Sequence, residues 1–428
     1  MKGLKLIRLG DFAKAISGFA FKSGDFVESG IPAIKIGNIN VGNVSFSEAN
    51  TAYLPLHFKS KVDKKFHVHK GDILISLTGS HMTHPNSVVG RVARYEHDKF
   101  SLLNQRAGKL INIDKAILDK TFLYYLLSTS SVRHEIALLA HGAANQANVS
   151  PKDIENIKIN IPNVESQKKI AAILSAYDDL IENNKRRIAL LENMAEEIYR
   201  EWFVRFRFPN YKNAEFEKGI PKGWEELSMD EFCEKVTDGT HDTPKPTESG
   251  KYLVTGKNIK NSQVNFDNAY RISENDHKEI SKRSGLKEWD ILFSNIGTIG
   301  ETAVVGESPD YSVKNVIIFR PKNKNHSLFL DYTLKNPAVI DQMLLMSSGA
   351  SQQFIGLGVA RKFKFLCPRL DLIDSFAEKI LSLRMQVNNL IKTNANLNAT
   401  KNSLLPRLIS GKLTVENLNI QFPPSMEM

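Results

Sequence analysis

IAAILSAYDDLIENNKRRIALLENMAEEI, from Ile170 to Ile198, holds neither glycine nor proline, and its apolar residues return every three or four positions. That period predicts one long amphipathic helix. Its seam reads Ile170, Tyr177, Asn184, Ile188, Leu191, Ala195, Ile198 and Trp202. A second stretch repeats the pattern through Phe376, Ile380, Leu383, Val387, Leu390, Asn394, Leu397, Lys401, Leu404 and Leu408, in alternating steps of four and three. Each helix would be on the order of 50 to 60 Å long at about 1.5 Å per residue. A single apolar stripe of that length must be covered. Either each helix lies across its own domain as a core helix, or the two pair as a coiled coil. The heptad-type steps favour the coiled coil, with Asn184 and Asn394 as polar seam residues that fix register at some loss of stability.

The globular sequence around the helices is also written twice. GIPAIKIGNIN from Gly30 answers to GKYLVTGKNIK from Gly250, with Asn38-Ile39 opposite Asn258-Ile259 and Tyr53 opposite Tyr270. GDILISLTG (71–79) answers to WDILFSNIG (289–297), Gly90 to Gly300, Asn104 to Asn315, GAANQ (142–146) to GASQQ (349–353), and Pro162 to Pro368. The first copy carries about eight extra residues, SHMTHPNS (80–87), which read as a loop insertion. Such ordered self-similarity is the mark of an internal repeat. Short apolar runs such as 73–76, 88–94 and 157–161 alternate with helical patterns at 121–127 and 131–140, so each copy is a mixed α/β globule followed by a long helix.

The expected boundaries are 1–163 for the first globule, 164–208 for the first helix, 209–222 for a polar linker, 223–370 for the second globule, 371–412 for the second helix and 413–428 for a tail. Pro209 is expected to stop the first helix, Pro406 and Gly411 the second, and the tail ending in QFPPSMEM to be disordered.

A chain of 428 residues with 42% hydrophobic and 24% charged residues is ordinary for a globular protein of two or three domains. No apolar run reaches the roughly 18 residues of a membrane span, and the opening MKGLKLIRLGDF lacks the h-region of a signal peptide. Two unpaired cysteines, Cys233 and Cys367, fit a reducing cytoplasm. The net charge of +10 favours a polyanionic partner such as nucleic acid.

Catalytic signatures are missing. There is no phosphate-binding G-x-x-x-x-G-K-[ST], no nucleophile elbow, no metalloprotease helix and no [DN]-P-P-[YF] of an amino-methyltransferase. FIGLG (354–358) spells a methyl-donor-like loop, but it follows SSGASQQ rather than a strand, and its repeat partner lacks the glycines. Eight of the eleven histidines lie in the first 141 residues, including His67 and His69, without the cysteines a zinc site prefers. No metal, cofactor or catalytic residue is therefore expected, and His67 and His69 read as exposed strand residues. What remains is polarity spread over loops of both copies: Lys35, Asn38, Thr78, Ser80, His81, Asn104, Gln105, Arg106, Asn145 and Gln146 in the first. The second has Lys257, Asn258, Asn295, Thr298, Lys314, Asn315, Gln352 and Gln353. Asn and Gln can pair with adenine, Arg and Lys with guanine, and all can hold phosphate.

With GNIN/GKNI, the shared DIL-x-S, GAANQANVSPKDIENIKINIP, IPKGW (220–224) and LLPRLISGKL (404–413), nearly the whole chain resembles the specificity subunit of type I restriction–modification systems. The resemblance implies two target-recognition domains, each followed by a long helix, with the helices paired antiparallel. It implies that each domain reads one half of a bipartite, asymmetric double-stranded DNA site and that the helices set the gap. Catalysis would belong to partners: two adenine-N6 methyltransferase subunits bringing S-adenosylmethionine, and restriction subunits using ATP and Mg. The first copy lacks an IPKGW-type opening, which leaves its base-reading loop open. Two readings compete: a DNA-binding coiled-coil scaffold with no methyltransferase, and a fragment of a fused restriction–methylation enzyme.

Overall fold

The computed structural model of the chain describes residues 4–47, 50–79, 88–142, 147–347 and 353–422. The chain divides into two compact units, residues 1–184 with 392–428, and residues 185–391. Each holds one α/β domain and a length of both long helices.

In the first unit, strands Lys14–Ser17, Ala107–Ile111, Ile73–Ser76, Val92–Arg94 and Gly42–Asn43 form a sheet in that order. A second sheet runs Ala52–Leu54, Ile31–Ile34, Ser101–Leu103, His67–Val68, and its middle pair is parallel. In the second unit, Cys233–Asp238, Val316–Pro321, Ile291–Ser294 and Thr302–Val304 repeat the first sheet. Tyr270–Ile272, Lys251–Thr255 and Tyr311–Lys314 repeat the second, again with a parallel pair. An antiparallel pair closes each domain, Lys5–Arg8 with Lys158–Ile161 and Glu225–Ser228 with Lys364–Cys367. The fold is thus mixed α/β and duplicated. Register refines one match: Leu103 pairs with Ile34 and Lys314 with Thr255, which sets Asn104 opposite Lys314 rather than Asn315.

The quoted repeats are mostly fold chemistry. Gly30 (φ +148°) and Gly250 (φ +118°) lie so close to the next strand that a Cβ would sit 2.2 Å from the Leu54 carbonyl and 2.1 Å from that of Ile272. Only glycine fits there. Gly71 and Trp289 take the same left-handed turn, φ +83° and +73°. Asp72 and Asp290, of the shared DIL, each cap that turn by accepting a backbone N–H, from His69 at 3.0 Å and from Lys287 at 2.8 Å.

The first long helix runs Val164–Tyr199 and continues as a π turn through Arg200–Val204. It stops before Pro209, because Phe206 turns left-handed at φ +56°. The π turn lets Trp202 and Phe203 bury together against Phe376 at 5.9 and 5.0 Å. The second helix, Leu370–Ile409, carries Pro406 inside its last turn. Proline gives up its own hydrogen bond there and crowds the carbonyl four residues back, and buried Leu408 holds the turn against the first domain's core. Gly411 (φ +69°), not Pro406, ends it. Part of the expected tail is ordered, since Val415 is buried in that same core.

The linker is not bare polar chain either. Phe216–Glu217 and Ile220–Pro221 form a small hairpin, and Trp224 packs edge-on and tilted among Phe203, Phe206 and Phe208.

The helices pair antiparallel, residue numbers rising on one as they fall on the other. In the first unit Asp178 meets Lys401 at 2.6 Å, and Asn184 Nδ2 donates to Asn394 Oδ1 at 2.9 Å. In the second, Leu191 and Ala195 lie beside Leu383 and Val387, and Tyr199 beside Phe376. The seam follows the predicted steps: Ile170, Asn184, Phe376, Ile380 and Val387 are buried, while Tyr177, Ile188, Leu191, Ile198, Leu383, Leu390, Asn394, Leu397 and Leu404 are half-buried. Ile181, which completes the heptad steps in the first helix, is buried as well.

Candidate nucleic-acid interface

Several predicted loops converge on one edge of each domain. In the first, the turn Asn104–Arg106 is tied to the end of Ile73–Ser76 by the Leu77 N–H to the Arg106 carbonyl (3.1 Å). Thr78–Gly79 pairs with Ala147–Asn148, and Val149 N–H donates to Leu77 O (2.8 Å). Those bonds place the flanks of three candidate segments side by side. Gln105 and Arg106 are exposed, Asn104 half-buried and Thr78 buried. Ser80, His81, Asn145, Gln146 and, in the second copy, Gln352 lie outside the described residues.

In the second domain the same edge carries the turn Gly256–Asn258, the segment 294–298 and the strand end Lys314–Asn315. Ser294 pairs with Val316, Gly256 approaches Ser294 Oγ, and Asn295 Nδ2 donates to Ile355 O at 2.9 Å. Lys257, Thr298 and Gln353 are exposed; Lys314 and Asn315 are half-buried, and Lys314 donates to Thr243 Oγ1.

Five expectations fail on burial, and Thr78, buried at the strand end, is the first. Asn38, fully buried, spends its amide inside the fold: Oδ1 accepts the Lys35 N–H (2.9 Å) and Nδ2 donates to Ser45 O (3.1 Å). Asn258 does the same with the Thr255 N–H (2.9 Å) and Asn265 O (3.1 Å). Both build the turn after a strand and have no reach to a ligand. Asn295 is likewise turned inward. His67, expected on an exposed strand, is buried against Phe100 (4.8 Å) with Nε2 3.1 Å from Val62 O, and burial lowers its pKa.

Two groups escaped sequence reasoning. HFKSKVDKKFHVHK (57–70) carries Lys59, Lys61, Lys64, Lys65 and Lys70 against one acid, Asp63. Here Lys61 lies over Phe58 (4.8 Å), Lys65 over Phe66 (5.0 Å) and Lys59 over Phe100 (5.3 Å). Nearby, Lys35 lies 4.2 Å over Phe26. The five lysines against one acid are the sequence signal for this group. The other group, Asp238, His241 and Arg283 beside Asn315, joins residues far apart in sequence, and nothing in their spacing announces it.

Among the described residues each edge offers hydrogen-bond donors and cations, which suit an extended polyanion. Among the described residues no helix is long and apolar enough to cross a membrane.

The profile of the type I restriction modification DNA specificity domain matches residues 1–193 and 221–382. The chain is 25% identical over 338 residues to the MjaIX type I restriction enzyme specificity subunit of Methanocaldococcus jannaschii, covering 74% of this chain and 73% of that one. It is 24% identical to the MjaVIII specificity subunit of the same organism, covering 97% and 94%. It is 21% identical to the EcoBI specificity subunit of Escherichia coli, covering 96% and 86%. In fold it resembles the crystal structure of the type I restriction–modification S subunit from M. genitalium, with a TM-score of 0.55 at 17% identity, covering 95% and 96% of the two chains. The chain belongs to the type I restriction–modification DNA specificity family, as a specificity subunit built from two copies of one recognition fold.

Proposed function

We propose that each domain reads one half of a bipartite, asymmetric double-stranded DNA site. The paired helices set the gap between the halves and dock two adenine-N6 methyltransferase subunits. The observation that carries this reading is that one scaffold occurs twice with the same turns and a different polar edge on each copy. Two readers joined by a stiff connection gain affinity and selectivity through effective concentration, and a fixed connection selects a fixed spacing.

In this reading the chain chooses the site and has no catalytic residue, metal or cofactor of its own. Methyl transfer, with the target adenine flipped into a pocket, belongs to the methyltransferase subunits with their S-adenosylmethionine. Cleavage belongs to restriction subunits with ATP and Mg. On the first domain, Gln105 and Arg106 face bases while Lys59, Lys61 and Lys65 hold phosphates. Replacing Lys59 and Lys61 by alanine should flatten the salt dependence of DNA binding by about 0.9 per lost phosphate contact on a log–log plot.

The test is a genome-wide map of N6-methyladenine in the host with and without this gene. Loss of one two-part methylated motif of fixed gap supports the reading. With the system expressed, an unchanged map overturns it.

A further inference from the structure

At the end of strand Cys233–Asp238, four residues from three distant parts of the chain form one hydrogen-bonded group. The Asp238 carboxylate, only 13% exposed, lies 2.8 Å from His241 Nε2 and 3.2 Å from Arg283 Nη2. Arg283 also donates to the Gly239 carbonyl at 2.5 Å. The far side of the His241 ring, Nδ1, lies 2.9 Å from Asn315 Oδ1. Asn315 takes the left-handed conformation, φ +50°, and its N–H donates to the Thr240 carbonyl at 3.2 Å. A buried-edge carboxylate therefore holds an imidazole, and the imidazole holds one end of an amide.

The group does little for the fold. His241 and Arg283 are 64% and 56% exposed, and ion pairs that exposed contribute little stability. Its effect is on orientation. A free asparagine amide turns about its last torsion and can present either end. When the ring donates from both nitrogens, Nε2 to Asp238 and Nδ1 to Asn315 Oδ1, Nδ2 has a set direction and Oδ1 keeps a second lone pair. A donor and an acceptor side by side are the complement of adenine's N7 and N6.

We propose that Asn315 reads a base edge, adenine by its pattern, in the half-site of the second domain, and that His241, buttressed by Asp238, is the residue that positions it. Arg283 donates to an adjoining phosphate. The inference rests on the bipartite reading above and deepens it. Among the described residues the first domain shows no such device at this position: after the equivalent glycine, Gly18, come Phe19 and Ala20, so the two domains read their halves by different means.

The experiment uses the assembled complex with duplexes carrying the mapped motif and every single-base substitution of it. N315A and H241A should each reduce discrimination at one base pair of one half, roughly tenfold to a hundredfold, with the other half and the gap unchanged. H241Q, which can still hold the amide, should recover part of it; H241F should not. Selectivity untouched by both alanine variants, or lost equally in both halves, overturns the proposal. Wild-type complex that shows no two-part selectivity sinks the bipartite reading instead, so the two failures are distinguishable. Melting temperatures of the variants, expected within a degree or two of wild type, separate positioning from misfolding.

Discussion

Set side by side, the two domains agree in their turns and disagree at their edge. Gly30 matches Gly250 in conformation and crowding, Asn38 matches Asn258 in the two bonds that close the turn, and Asp72 and Asp290 cap the same turn. At the strand ends, by contrast, one domain has phenylalanines overlaid with lysines and the other Asp238, His241, Arg283 and Asn315. What the backbone geometry demands survives duplication; what only a ligand touches is free to diverge.

The strongest break in the comparison should come from the capping aspartates. Asp290 is fully buried and bound at both oxygens by Arg320, at 2.7 Å each. Asp290→Ala leaves that guanidinium unpaired and should cost about 3–5 kcal/mol in chemical denaturation. Asp72 meets Lys109 and the more exposed Lys120, so Asp72→Ala should cost less. Equal losses would contradict the fuller burial of Asp290, 0% exposed against 15% for Asp72, as the source of the difference.

Next in size, Gly30→Ala and Gly250→Ala should each destabilise by more than about 1 kcal/mol, because φ is positive and a backbone oxygen stands where Cβ must go. Similar losses in the two variants are expected, and a large difference would separate the repeats. Smaller again is the Asn184–Asn394 contact. A double-mutant cycle to alanine should return a coupling of about 1 kcal/mol. The double leucine variant should melt higher while loosening register; a lower melting point would assign the pair a stabilising role instead.

The finest difference is acid sensitivity. Burial alone would raise the Asp331 pKa, yet Lys335 (2.6 Å) and Arg384 (3.8 Å) overcome it and the net shift is downward. A depressed carboxylate stabilises the fold above its unfolded pKa of about 4, and that contribution fades as pH falls through the folded value. Melting curves should therefore fall from about pH 4 downward, and Asp331→Asn should flatten that fall. An identical profile in the variant would remove Asp331 from the acid response.

Legibility followed how local each interaction is. The heptad steps from Ile170 to Ile198 and Phe376 to Leu408 were readable because a helix surface repeats on a short, fixed period. Glycine matches such as Gly30 with Gly250 were readable because a left-handed turn or a close strand narrows the choice to one residue. Asn38 and Asn258 misled for the same reason: their recurrence marked a turn, not a contact with DNA. Pro406 misled because a proline's local penalty was outweighed by Leu408 packing against the first domain.

By itself, then, the sequence determined the duplication, the fold class, the heptad helix seam and the polyanion-seeking charge, since each is written in periodicity or composition. Tertiary structure alone decided which polar residues are spent inside and which face out, and it alone joined Asp238, His241, Arg283 and Asn315. Burial and hydrogen-bond geometry depend on strands from distant parts of the chain meeting in register, and no local pattern encodes that.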